Sequence, residues 1–427
     1  MTKPYSVLMG KAVRYVARLR GGGSALPGLF VETIDKSFVP DVLSQLPQGV
    51  VLISGTNGKT TTTKMVVELL ESQGMKVFTN RTGSNFIRGV AAALLGEVDT
   101  RGKLDADIAV LELDEAHAVR FVAQIKPKYS LLLNVMRDQL DRFGEIDHTA
   151  NLLHKIALST TDGVVVNRDD PRLGSEKFRR DITAPLRSYG VSTELLKQFP
   201  SDDEMRSDKK VARFAPTLFA DDTSLKSTDE NHATISYDSK NHNVDLKING
   251  IYNILNAVGA VALCRMIRGD ELDEKAMITA LQNVTPAFGR GENLTVNGQP
   301  CQLVLVKNPS GFRLGLQSFS PNGYATMIAI NDNYADGRDM SWLWDVDFDS
   351  LRAGGVSEIS GIRAYDMALR MQYDDVPVGN VATDLSKSLR RFLSAHSDSP
   401  KRIYCTYTAM LALRRELAKV TDVEDVS

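Results

Sequence analysis

The sequence is short of the residues that carry redox and zinc chemistry. Cysteine occurs three times in 427 residues, as Cys264, Cys301 and Cys405, with no two near one another. That excludes a CxxC redox pair or a closely spaced zinc site, and few, unpaired thiols fit a reducing cytoplasm. An excess of one charge is also missing. With 51 Lys and Arg against 53 Asp and Glu, the net charge is −2, which gives no general pull toward nucleic acid, so no nucleic-acid partner is expected. No apolar run reaches the ~18–20 residues of a membrane span. Segment 5–19 is interrupted by Lys11, Arg14 and Arg18 and lacks the apolar core of a signal peptide. With Val13, Val16, Ala17 and Leu19 it reads as a short amphipathic helix. Such a helix either docks on its own domain or makes peripheral contact with a membrane.

What is present is a soluble, multidomain composition. The chain is 43% apolar and 24% charged, as globular proteins are, and its length argues for two or three domains. Residues 49–54 (Gly-Val-Val-Leu-Ile-Ser) form a short apolar run, followed by helical spacing over 60–73 and a stop at Gly74. Further strand signals lie at 76–79, 108–113, 129–134 and 163–167. Strands separated by helices predict an α/β fold with a doubly wound, parallel-rich sheet. Residues 172–245 are polar and charged, with short β patterns at 233–237 and 244–248, and read as an excursion of loops and hairpins. Helical periodicity returns at 253–267 and 274–282, strands follow at 302–306 and 325–330, and a helix closes the chain at 408–419. We therefore divide the chain into an N-terminal helical or extended segment (1–44), a central α/β domain (45–297) and a smaller α/β C-terminal domain (298–427).

The most specific motif is Gly55-Thr56-Asn57-Gly58-Lys59-Thr60-Thr61. A strand runs into a glycine loop that opens a helix, so backbone N–H groups at the helix N-terminus point at phosphate. In that reading Gly55 and Gly58 allow close backbone approach, Lys59 reaches the β and γ phosphates, and the Thr60 hydroxyl ligates Mg²⁺. Ile53 stands where a full GxxxxGK[ST] motif has its first glycine. The metal needs a carboxylate, and Glu112 and Glu115 lie at the carboxyl end of a predicted strand, where open α/β sheets bind ligands. Spacing does not choose between them, and a solvated acidic loop is the alternative.

These residues resemble the Mur ligase family and its folylpolyglutamate synthase relatives. The glycine loop resembles that family's ATP loop, Asn167-Arg-Asp-Asp-Pro171 its N-x-D-D-P segment, and Gly250-Ile-Tyr-Asn-Ile-Leu-Asn256 the stretch that approaches the nucleoside. Residues 288–292 (Phe-Gly-Arg-Gly-Glu) resemble its G-R-x-E. The resemblance spans roughly residues 45–415 and implies ATP and Mg²⁺, with Asn253, Asn256 and Arg290 at the nucleotide; for Arg290 an interdomain salt bridge is the alternative. Segments 79–85, 137–145 and 336–345 look like the MurT branch. That branch works with a GatD-like glutamine amidotransferase subunit and amidates D-glutamate in the stem peptide of lipid II. The resemblance thus implies ammonia from a partner, an acyl phosphate intermediate, a lipid II substrate, and a cytoplasmic protein acting at the inner face of the cell membrane. It also implies a functional acid among Asp339, Asp336 and Asp345, in that order of preference; a loop-holding network of Asp and Arg is the alternative. Trp342 and Trp344, two apart, would share one face of a strand.

The chain departs from amino-acid-adding ligases. Gln139 and Lys307 stand where many of those ligases have histidine, and the carbamylated lysine has no clear counterpart, its place falling near Leu152 or Leu153 with Lys155 out of register. MurT relatives often carry a four-cysteine zinc ribbon, but segment 172–245 has no cysteine. No zinc is therefore predicted, and the hairpin there is expected to be held by packing alone. An autonomous Mur-type or folylpolyglutamate-synthase-like ligase is the rival reading, and a non-catalytic nucleotide-binding scaffold the third.

Overall fold

The apolar run after Gly49 becomes strand β1 (Val50–Ser54), in which every residue is buried. Alternate side chains go to opposite faces. Val51 and Ile53 enter one core, Val50 and Leu52 the other. A strand buried on both faces belongs in the middle of a parallel sheet covered by helices, and β1 sits there. The computed structural model describes residues 4–19, 26–80, 86–137, 146–206, 222–229, 231–248, 250–285 and 290–423.

The first sheet has nine strands: β1, β2 (Val77–Thr79), β3 (Ile108–Glu112), β4 (Tyr129–Leu132), β5 (Gly163–Asn167), β6 (Leu186–Val191), β7 (Thr223–Asp229), β8 (His232–Tyr237) and β9 (Lys240–Asp245). Their order is β2-β3-β1-β4-β5-β6-β7-β8-β9. Pairing is parallel from β2 through β7 and antiparallel for β7-β8-β9. Segment 172–245 is therefore more than an excursion. Strands β6 and β7 extend the parallel sheet, and only the β8-β9 hairpin departs from it. The strand expected over 244–248 lies earlier, at Lys240–Asp245.

The longer helices here are α1 (Pro4–Leu19), α2 (Leu26–Ile34), α3 (Phe38–Leu43), α4 (Lys59–Ser72), α5 (Ile87–Glu97), α6 (Glu115–Val122), α7 (Ile146–Ser159), α8 (Ile251–Arg268) and α9 (Glu274–Asn283). Helix α8 is long and apolar enough to cross a bilayer, yet 67% of its apolar window is buried. It packs in one core with α4, and its apolar character is that of a helix under a sheet. It corrects the account of the hairpin. Arg265 pairs with Asp238 at 2.5 Å and lies 4.2 Å over the Tyr237 ring, which stacks on His242. An ion pair and a cation–π contact thus reinforce packing. Residues of α1, α2 and α3 join the core on the other sheet face.

The second sheet runs β10 (Arg290–Val296), β11 (Gln299–Leu305), β15 (Lys401–Cys405), β12 (Ala325–Ala329), β13 (Val356–Ser360) and β14 (Val378–Ala382), parallel except for β10-β11. Helices α10 (Pro309–Ser318), α11 (Ala364–Tyr373), α12 (Leu385–Ala395) and α13 (Tyr407–Leu417) cover it. Trp342 and Trp344 do not share a face. They lie in a one-turn 3₁₀ segment, Ser341–Asp345, which buries Trp342 and leaves Trp344 exposed.

Candidate active site

Strand β1 ends between β3 and β4, where the chain order of the sheet reverses. Open α/β sheets place ligands at that point, beyond the carboxyl ends of the strands. The loop leaving β1 needs left-handed backbone twice, at Gly55 (φ +137°) and Gly58 (φ +89°), conformations that favour glycine. At both positions the space is also filled: a Cβ on Gly58 would meet Asn256 Nδ2 at 2.4 Å, and one on Gly55 would meet Asn134 N at 3.0 Å.

The loop is held from several sides. Asn57 N donates to Asn134 Oδ1 at 2.8 Å, and Asn134 Nδ2 donates back to Asn57 O at 2.9 Å. Met136 N donates to Thr56 Oγ1 at 3.0 Å, and Val135 N, beside it, donates to Asp170 Oδ2 at 2.7 Å. Asp170 also accepts from Arg172 N and Leu173 N, and burial raises its carboxyl above the usual range. The Asn167–Pro171 segment thus supports the loop from the end of β5.

Lys59 is buried at the start of α4. Its Nζ donates to Gly55 O at 2.6 Å and stands 3.3 Å from Asp114 Oδ1 and 3.9 Å from Glu115 Oε1. Thr60 Oγ1 donates to Glu112 Oε1 at 2.9 Å. Asn80 fixes Glu112 through its backbone, donating to Glu112 O at 2.9 Å and accepting from Glu112 N at 3.0 Å. The structure therefore separates the two glutamates, Glu112 with Thr60 and Glu115 with Lys59. Two features fit a Mg-nucleotide. Thr61 Oγ1 is buried with no protein partner, an orphan hydroxyl in the phosphate loop. The donor set is hard oxygen, as Mg²⁺ requires, and Mg²⁺ is usually held by one or two carboxylates plus substrate phosphates. Among the described residues there is no cluster of three acids, cysteines or histidines able to hold a metal unaided.

The loop opens on an interdomain cleft whose walls include Asn57, Gly58, Asn253, Asn256, Tyr252 and Phe199 from the first sheet and Lys307 from the second. Phe199 and Tyr252 meet edge to face at 5.4 Å. Lys307 Nζ donates to Thr56 O at 3.2 Å, and Asn308 Nδ2 donates to Asn57 Oδ1 at 3.4 Å. Asn308 also caps α10 through Gly311 N. Lys307, noted in sequence only as a departure from histidine, thus reaches across the seam to the phosphate loop. The Asn134 and Asn80 clamps were not singled out, because an asparagine gains meaning only from its fold neighbours. Arg290 opens β10, but its side chain lies outside the described residues, as do residues 81–85, 138–145, with Gln139, and 286–289. Near the carbamyl-lysine position, Leu152 and Leu153 are buried and Lys155 is exposed.

Asp336 and Asp339 lie on the other sheet, in the loop after β12. Strands β11 and β12 both border β15, so the two loop edges are two strand spacings apart, roughly 10 Å. Asp336 is buried and accepts from Thr408 N at 2.7 Å, Thr408 Oγ1 at 2.5 Å and Asn333 N at 3.1 Å. Its burial raises the carboxyl above the usual range. It ties the loop to the start of α13. Asp339 is only half-buried, and its Oδ1 accepts from Ser341 N at 2.9 Å. Hydrogen bonds from Ser341 hold its carboxyl below the usual range.

The three thiols are buried. Burial pushes Cys264 and Cys301 up to about 12, and raises Cys405 as well. A nucleophilic cysteine needs its thiolate, the form that burial of all three disfavours.

The chain matches the family model of the Mur ligase middle domain over residues 53–264 and that of the MurT ligase C-terminal region over residues 305–410. It is 30% identical to the lipid II isoglutaminyl synthase (glutamine-hydrolyzing) subunit MurT of Streptococcus pneumoniae, covering 96% of each chain. Among solved structures it resembles a pseudomurein peptide ligase type C from Methanothermus fervidus (TM-score 0.67, 16% identity, covering 90% of this chain and 81% of that one). It also resembles the MurF ligase of Thermotoga maritima in complex with ADP (TM-score 0.64, 17% identity, covering 91% and 84%).

Proposed function

This chain belongs to the Mur ligase family, on its MurT branch, and from that premise we propose that it is the ATP-consuming subunit of a lipid II isoglutaminyl synthase. It would convert the α-carboxylate of D-glutamate in the lipid II stem peptide to the amide, at the inner face of the cell membrane, with ammonia from a GatD-like glutaminase subunit. One observation carries this reading: a complete phosphate loop with its acids stands in a chain whose three thiols are all buried. The described residues have the parts to activate a carboxylate, and the chain has no exposed thiol for attack on glutamine.

A carboxylate is a poor electrophile, because its leaving group would be oxide. Transfer of the γ-phosphoryl group of ATP to the carboxylate oxygen gives an acyl phosphate and ADP. Ammonia then attacks the acyl carbon, phosphate departs, and the nitrogen loses a proton. The phosphate-loop amides and Lys59 stabilise the transferring phosphoryl group. Thr60 and Glu112 would hold Mg²⁺, which supplies charge neutralisation at the phosphates when bound; Asp114 and Glu115 keep the Lys59 ammonium in place. Asn253 and Asn256, with Tyr252 and Phe199, suit the nucleoside. Asp339, its carboxyl held low by Ser341 in the loop after β12, suits the incoming nitrogen and the partner's active site. The partner surface would continue along α11, where Tyr365, Leu369 and Tyr373 are exposed at four-residue spacing and Trp344 packs on Tyr373 at 5.0 Å. Exposed aromatic clusters of this kind mark protein interfaces.

The test is ADP release by the purified chain with lipid II and ammonium chloride, with and without the glutaminase subunit, beside Lys59→Ala. Release that needs lipid II and ammonia and disappears in the variant supports the assignment. Release driven by a free amino acid in place of ammonia would replace it with the autonomous ligase.

A further inference from the structure

We propose that α1 docks this chain onto an anionic lipid surface. The helix has two faces with different work. One is tied down: Ser6 Oγ donates to Asp35 Oδ2 at 2.9 Å, and Val7 and Ala17 are buried. Gly10 lets α1 settle closely, since a Cβ there would stand 2.5 Å from Val31 Cγ2 and 2.7 Å from Leu95 Cδ2. The opposite face carries Tyr5, Leu8, Met9, Tyr15, Val16 and Leu19, each between 45% and 71% exposed. At about 100° per residue these six fall within an arc of roughly 120°. Of the apolar residues read from the sequence as one amphipathic set, Ala17 is on the docked face and Val16 and Leu19 are on the outward one. The helix is docked and still presents a continuous apolar stripe.

Charge selects the occupant. Residues 1–31 contain five Lys and Arg and no Asp or Glu, in a chain whose net charge is −2. Lys11 follows the stripe on its flank by helical spacing, next to Tyr15. Arg14 faces inward, its guanidinium against Gly96 at the end of α5, so it anchors the helix. An apolar stripe with tyrosines toward both ends, flanked by Lys11, in a segment with five cations and no acid, is the composition of a helix lying in the plane of a membrane interface. Protein interfaces instead lose charge at their centres. A lipid-surface helix would also hold the cleft near any lipid-linked substrate, but the inference does not depend on that substrate.

The test sediments the full chain with phosphatidylcholine vesicles that contain or lack phosphatidylglycerol, and no lipid II. Binding is expected to the anionic vesicles, at least tenfold weaker to neutral ones, and to weaken with added salt. Leu8→Glu/Val16→Glu should lose at least tenfold in vesicle binding while its melting temperature and ATP binding stay unchanged. Lys11→Glu should lose less, and only on anionic vesicles. The proposal fails if the chain binds neither vesicle, if the double variant binds like the parent, or if both lipid compositions bind equally. It also fails if amide exchange in α1 slows on adding the glutaminase subunit but not on adding vesicles, which would make the stripe a protein interface.

Discussion

The loops after β1 and after β12 leave the carboxyl ends of parallel strands in two sheets of one chain, yet their surroundings differ. After β1 the charged groups Lys59, Glu112 and Glu115 are all buried and held by the loop itself. After β12 only Asp336 is buried, and Tyr334, Trp344, Tyr365, Leu369 and Tyr373 around that edge are exposed. A site closed by its own chain performs chemistry that needs no second protein, because its dipoles are already aimed. An edge that leaves aromatics in water is finished by something else. On the proposed function the difference is a division of labour, with carboxylate activation assigned to this chain and nitrogen delivery to its joint edge with a partner.

Lys59→Ala breaks the comparison at its stronger end. The variant should lose about 10³-fold in ATP turnover, since one preorganised cation at the phosphoryl group accounts for that order of effect. Steady-state ADP release measures it, and a loss under tenfold would mean that the loop only binds. Asp339→Asn comes next. Amidation should fall about 10²-fold while ATP affinity, read by calorimetry, stays level. The pH profile sharpens this. A carboxyl whose folded pKa lies below its unfolded value contributes stability above the unfolded pKa and loses it as pH falls through the folded one. Asp339 is such a group, so it remains ionised from pH 8 down to pH 5. A drop in amidation within that window that vanished in Asp339→Asn would contradict its assignment.

The partner face gives a smaller effect. Leu369→Glu places a charge in the middle of the α11 stripe and should weaken association with the glutaminase subunit by at least about tenfold, as loss of a central apolar contact does. Analytical ultracentrifugation reads it, and unchanged association would move the interface elsewhere. The ammonia-driven reaction of the isolated chain should not change.

The two loops were also unequally legible in sequence. The phosphate loop is local: strand, glycines, lysine and helix follow one another within residues 50–72, and each constrains its neighbour. Its clamps were invisible, because Asn134 and Asn80 arrive from other strands. Near β12 the acids stood out as a charged cluster, but the 3₁₀ turn that parts Trp342 from Trp344 did not. Period-2 reasoning presumes a strand, and one turn of 3₁₀ helix carries too few residues to declare its own period. The β6 and β7 strands were hidden for a related reason. They mix polar residues with apolar ones, Arg187 and Ser188 in β6 and Lys226 through Asp229 in β7, so their apolar signal is diluted. Membership in the MurT branch was legible from several short motifs in fixed order, and a MurT relative 30% identical over 96% of each chain agrees with it.

Lys307 links the two halves of the comparison, and its removal should give the smallest effect. It belongs to the second sheet's β11 edge, yet its Nζ donates to Thr56 O in the first sheet's loop. Asn308 and the start of α10 meet the same loop through Asn57. If this contact only closes the seam, Lys307→Gln removes one charge-assisted hydrogen bond of about 1.5–3 kcal/mol, with part of the loss made up by Asn308. The KM for ATP should rise by about five- to tenfold, with kcat nearly unchanged. If Lys307 instead touches the transferring phosphoryl group, kcat falls together with kcat/KM, because the interaction is then made only in the transition state. That outcome would join the second sheet to the phosphoryl-transfer machinery and end the clean division between the two loops.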